Sequence, residues 1–158
     1  MNRMLWAMTC AVVLLAPPVC GQDRSADMNM QILRDEIQAD KRAVVAVNMD
    51  LTETEARVFW PIYDQYQNDL RLINDRLATA ILTYADAYNA GPVTDVIAKR
   101  LLDEAIALDD SEVRLRREYA ARLARAIPVA KVARYMQIES KIRAAIRYEL
   151  AANIPLLE

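Results

Sequence analysis

The chain has 158 residues, 54 % of them hydrophobic and 27 % charged, and its 20 basic and 22 acidic side chains leave a formal net charge of −2. That balance exerts no global pull toward nucleic acid or another polyanion. It has no histidine, which excludes the Glu-x-x-His pairs of di-iron bundles, His-ligated haem and zinc, and triads with a histidine base.

Met1, Asn2, Arg3 and Met4 are followed by an apolar run from Leu5 to Val19, then by Gln22, Asp23 and Arg24. A basic start, a run too short to span a bilayer comfortably and small residues at Val19 and Gly21 have the layout of a secretory signal peptide over residues 1–21, cleaved after Gly21. Lipid anchoring through Cys20 is the alternative. Cys10 and Cys20, the two cysteines of the chain, would both leave with the signal. Residues 22–158 would then form one all-helical domain in the periplasm, without a disulfide or a thiolate metal site.

Only two glycines, with abundant Ala, Leu, Arg and Glu, favour helix throughout that domain. The first helix is predicted near 27–48, with Met30, Leu33, Ile37, Val44 and Val47 at helical spacing. The second is predicted over 53–89, where Thr52 and Glu55 form a capping box. Its stripe of Phe59, Tyr63, Tyr66, Leu70, Ile73, Leu77, Ile81, Tyr84 and Tyr88 steps by three or four, close to the ordinary 3.6 period. Pro61 removes one backbone bond and should bend the first turns.

Gly91 and Pro92 mark a corner, after which Thr94 and Asp95 start a third helix to about 126. Ile97, Leu101, Ala105, Leu108, Leu115, Tyr119 and Leu123 form its main stripe. Leu102, Ile106 and Val113 form a second one, expected to touch another neighbour. Pro128 separates this helix from a fourth over 129–153, with Val132, Tyr135, Ile138, Ile142, Ile146 and Leu150 inward. Leu70, Ile73, Leu77, Ile97, Leu108, Leu115, Ile142 and Ile146 are the expected core. The fold class is therefore all-α, an elongated helical hairpin or bundle of about four helices, two of them long. So long a hairpin leaves apolar stripe uncovered, which favours a homodimer.

No cofactor, metal site or catalytic group is apparent, so a non-enzymatic protein is expected. Asp103, Glu104, Asp109, Asp110 and Glu112 are the densest carboxylates, but they lack EF-hand spacing and read as a solvated face. Ten Lys or Arg fall between residues 113 and 148 against Glu118 and Glu139. They read as a solvated face, with contact to anionic lipid as the sharper alternative; nucleic acid is not an expected partner. Glu139, on the apolar side of the fourth helix, should be ion-paired with Arg143 or an arginine of the third. The aromatic group around Phe59, Trp60 and Tyr63 is mostly core, with Trp60 about a quarter turn off the stripe and able to reach the surface.

Leu51, Thr52 and Glu55, opening a long helix in an exported helical chain, resemble the LTxxQ motif of the periplasmic Spy and CpxP family. Glu55 stands where that motif has glutamine. A second copy is absent near the last helix, where Ile127, Pro128 and Val129 stand. The resemblance implies a bent helical hairpin that dimerises into a cradle, binds unfolded or partly folded envelope proteins without ATP and takes part in envelope stress. Possible client contacts are Phe59, Trp60, Tyr63, Arg114 and Arg117. A helical scaffold with one folded envelope partner is the competing expectation.

Overall fold

The computed structural model describes residues 40–157, and among them the chain is all helical, with no strand. The signal peptide expected over residues 1–21, Cys10, Cys20, Met30, Leu33, Ile37 and the expected start of the first helix lie outside the described residues. From Arg42 onward the chain forms one compact unit. Its helices are α1 (residues 40–49 as described), α2 (Glu53–Ala90), α3 (Asp95–Ala124) and α4 (Val129–Asn153).

Local chemistry sets each boundary. Asp50 turns the chain from α1 into α2 with a left-handed φ of 47°, a conformation that a short polar side chain tolerates. Thr52 then caps α2: its hydroxyl accepts from the Glu55 N–H, and the Glu55 carboxylate accepts from the Thr52 N–H at 2.8 Å. Pro61 lies inside α2, yet the helix continues through it to Ala90. Gly91 ends α2 with φ 132° and ψ −158°, a region open essentially to glycine alone. Thr94 caps α3, and Pro128 precedes α4, its carbonyl accepting from Lys131 and Val132.

Cross-helix contacts give the directions. α3 runs antiparallel to α2, with Arg122 on Gln65, the Tyr119 hydroxyl 2.5 Å from Asp69, and Arg76 on Glu104. Along α4, Lys131 meets Glu55, Tyr135 meets Phe59, Glu139 meets Gln67 and Arg143 meets Asn74. Both numbers rise together, so α4 runs parallel to α2. α1 lies antiparallel on the start of α2, through Arg42 with Asp64 and over the Trp60 ring.

The core sits at one end of this bundle. Val45, Met49, Phe59, Tyr63, Tyr66, Leu70, Tyr119, Leu123, Ile127, Val132 and Tyr135 form one buried cluster. Phe59, Tyr63, Tyr66, Tyr119 and Tyr135 meet mainly edge to face at 5.2–6.0 Å between centroids, worth about 0.5–1.5 kcal/mol per pair beyond area burial. Beyond Leu70, Leu108 and Glu139, toward the Gly91 corner, no described residue of α2, α3 or α4 is fully buried.

Three expectations change on this account. In α1 the buried pair is Val45 and Met49, while Val47 is 83 % exposed and Val44 also faces out. The run of three valines and one alanine is apolar on every side, so its period alone does not choose the inner face. Among the described residues the second stripe of α3 stays largely exposed, with Leu102, Ile106 and Val113 at 60 %, 55 % and 42 %. Ile146 is exposed although it continues the face of Tyr135, Glu139 and Ile142; among the described residues no helix closes over it at the Gly91 end. Leu70 and Leu108 are buried as expected, and Ile73, Leu77, Ile97, Leu115 and Ile142 are half-buried.

Candidate partner-binding surface

The motif residues form a structural lock. Leu51 packs against the core cluster, and Glu55 receives, besides its capping bond, the Lys131 ammonium at 2.6 Å. Lys131 also donates to the Asp50 carbonyl at 2.7 Å. One lysine of α4 thus ties together the α1–α2 turn and the first turn of α2. The Lys131 hydrogen bond, followed by the Thr52 backbone, holds the Glu55 carboxyl below its ordinary range.

Phe59 and Tyr63 do not reach the surface: they are 0 % and 3 % exposed. This corrects their expected role as client contacts, because each faces Tyr135 of α4. Trp60 is half-buried, edge-on to both rings, with the Arg42 guanidinium 4.2 Å above it. Its outer face is therefore occupied by a cation from the same unit. Arg114 and Arg117 are exposed on α3, and Arg114 donates to Ser111 one turn back. The structure gathers the three aromatics and leaves the two arginines on another helix.

Two buried carboxylates are the polar features of the interior. Glu139 accepts from Gln67 at 2.9 Å, and Gln67 also donates to the Tyr135 hydroxyl at 3.1 Å. Arg143, one of the two kinds of partner expected for Glu139, pairs with Glu112, which Arg147 also reaches at 2.9 Å while bonding Asp109 at 2.5 Å. Burial first, and Arg147 among the charges, disfavour the charged form of Arg143. Sequence reading missed the burial of Glu112. Its position four residues after Leu108 and seven before Tyr119, on the inward stripe, is the signal that could have found it.

The tyrosines of the core resist ionisation. Burial, with Glu139 adding to it, pushes Tyr63 to about 12 and Tyr66 and Tyr135 higher. Burial and the bond to Asp69 raise Tyr119 to about 12. Neutral tyrosines, with the hydroxyls of Tyr119 and Tyr135 hydrogen-bonded, and partnered carboxylates are what a stable interior requires.

The open surface lies at the Gly91 end. A groove of about 650 Å³ between α2 and α3 is lined by Arg76, Ala80, Thr83, Leu101, Glu104 and Ala107, among others. A more apolar depression of about 460 Å³ lies along α4 at Ala145, Ile146, Tyr148 and Leu150. Leu82 and Tyr148 are among the exposed large side chains of this end. Compared with protein families, curated proteins and solved structures, this chain matches none. Among the described residues no helix is long and apolar enough to cross a membrane.

Proposed function

We propose that this is an exported, non-enzymatic protein that binds exposed apolar segments of other envelope proteins reversibly, without a cofactor, as a chaperone or stress sensor and as a homodimer. The observation that carries the reading is the asymmetry of packing. A closed aromatic core holds one end, whereas toward Gly91 no described residue of α2, α3 or α4 beyond Leu70, Leu108 and Glu139 is fully buried, and Leu82, Ile146 and Tyr148 are exposed. Apolar side chains on a rigid helical frame offer binding energy that the fold itself does not use. The resemblance of Leu51, Thr52 and Glu55 to the LTxxQ motif, and the signal-like residues 1–21, point the same way. Placement of the binding surface differs from the sequence expectation: it lies at the Gly91 end, because Phe59 and Tyr63 are consumed by the core.

Light scattering from a denatured, aggregating client, with and without an equimolar amount of the protein, tests the reading. Suppressed scattering supports it. Unchanged scattering, with recovery of one folded envelope partner in a pull-down, would replace it with the scaffold reading.

A further inference from the structure

The ten lysines and arginines between residues 113 and 148 divide into two groups in the fold. Arg122, Lys131, Arg143 and Arg147 pair with Glu118, Glu55, Glu112 and Asp109 respectively. The others, Arg114, Arg116, Arg117, Arg125, Arg134 and Lys141, are exposed, and among the described residues none of them meets a carboxylate. Arg117, Arg125, Arg134 and Lys141 have no Asp or Glu three or four positions away on either side, so their own helices offer them no ion pair.

Glu112 and Glu139 mark the inward sides of α3 and α4. At about 100° per residue, Arg114, Arg117, Arg134 and Lys141 stand about 140–160° round from them, on the side of the two helices away from α2. The Glu112–Arg143 pair sets the antiparallel register, which brings Arg114 level with Lys141 and Ala121 level with Arg134. Arg125 adds a fifth cation where α3 ends, so the set covers about 16 Å of the bundle at about 1.5 Å per residue. Between the two rows stand Val113, Ala124, Val129 and Ala133, all exposed, Val129 at 68 %. Like charges gathered without counter-ions repel one another, and an anionic surface relieves that repulsion. The aliphatic side chains between them enter the edge of a bilayer but give nucleic acid no ring to stack on.

We propose that this basic side of α3 and α4 docks on an anionic phospholipid bilayer, with α2 facing away from the lipid. The proposal goes beyond client binding and does not depend on it. It uses Arg114, Arg117 and the first half of α4 rather than Leu82, Ile146 and Tyr148.

Flotation of the full chain with vesicles of equal parts phosphatidylglycerol and phosphatidylcholine, and with vesicles of phosphatidylcholine alone, is the test. The apolar residues 5–19 are common to every variant, so the readout is the gain each variant shows on the anionic vesicles. A basic side chain at such a surface contributes about fivefold in affinity. Arg117→Gln, Arg134→Gln and Lys141→Gln together should therefore cut the gain about a hundredfold, and high salt should remove it. Arg57→Gln, Arg71→Gln and Arg100→Gln make the same change in net charge elsewhere and should keep the gain. These positions are all exposed, and circular dichroism confirms that each variant keeps its helices. A gain indifferent to the first triple variant, or lost equally in both, would overturn the proposal. No preference for the anionic vesicles would also overturn it, and binding of a single-stranded RNA that the first triple variant loses would then assign this side to soluble polyanions.

Discussion

Lys131 and Glu55, 76 positions apart in sequence, stand 2.6 Å apart in the fold. Their pairing closes the α1–α2 turn against the start of α4, and it gives the carboxylate at position 55 a role that glutamine would not fill. Glu55→Gln should keep the capping geometry, since an amide oxygen still accepts from Thr52, yet lose the ion pair. The carboxyl titrates below its ordinary value in the folded state. Its contribution is therefore present above the unfolded pKa of about 4.3 and is lost as pH falls through the lower folded value. Urea midpoints of parent and Glu55→Gln should differ at neutral pH and converge in acid. Equal midpoints at pH 7 would show that Lys131 contributes nothing through Glu55.

Truncation in the two ends of the bundle should cost different amounts. Leu70→Ala removes a buried side chain from the aromatic cluster and should cost about 2–5 kcal/mol. Leu77→Ala removes a half-buried one from the same stripe two turns on, and about half that loss is expected because solvent already reaches the site. Denaturant unfolding of the two variants checks the order. Leu77→Ala the more damaging would mean that the core extends to the Gly91 end after all.

Helix positions were largely legible because their signals are local. The capping box at Thr52, glycine at position 91 and proline at 128 each act through their own backbone, and α2 to α4 fall within two residues of the expected limits. The Glu139 carboxylate likewise announced a buried polar group. That Gln67 donates to it, and that Arg143 pairs with Glu112, did not follow, because both depend on which helix faces which. Nor could periodicity tell that Phe59 and Tyr63 are sealed while Ile146 is open. A stripe names the inner face of a helix and says nothing of whether another helix covers it.

Arg143→Met should leave Glu112 with Arg147 as its remaining cation. Breaking one side of a buried pair costs about 3–5 kcal/mol, and the half-exposed Arg147 should hold the loss to about the lower figure. Glu112→Leu combined with Arg143→Leu should recover much of the stability, because both buried charges are then gone. A double variant no better than the single would mean that the pair is needed for packing rather than for charge balance.

Four of the seven tyrosines resist ionisation, Tyr63 and Tyr119 up to about 12 and Tyr66 and Tyr135 further. In the unfolded chain each loses its proton near 10. Between those values the folded state holds more protons than the unfolded one, so stability must fall as pH rises above about 10. Absorbance at about 295 nm during an alkaline titration should show these four ionising late and together with loss of helix by circular dichroism. Independent ionisation near 10 without unfolding would contradict the sealed aromatic core.

Leu82, Ile146 and Tyr148 are 66 %, 49 % and 74 % exposed, so serine at all three positions removes apolar surface without opening the core. Surface changes of this kind usually alter stability by about 0.5 kcal/mol or less each. The triple variant should therefore unfold close to the parent midpoint and yet lose most of its ability to suppress aggregation of a denatured client. Trp60→Ala should behave in the opposite way. Its ring lies between Phe59, Tyr63 and Arg42, and its removal should lower the unfolding midpoint while leaving suppression by the folded fraction intact. Undiminished suppression by the triple variant, with loss on Trp60→Ala at a temperature where that variant remains folded, would return the client surface to the aromatic end and overturn its placement near Gly91.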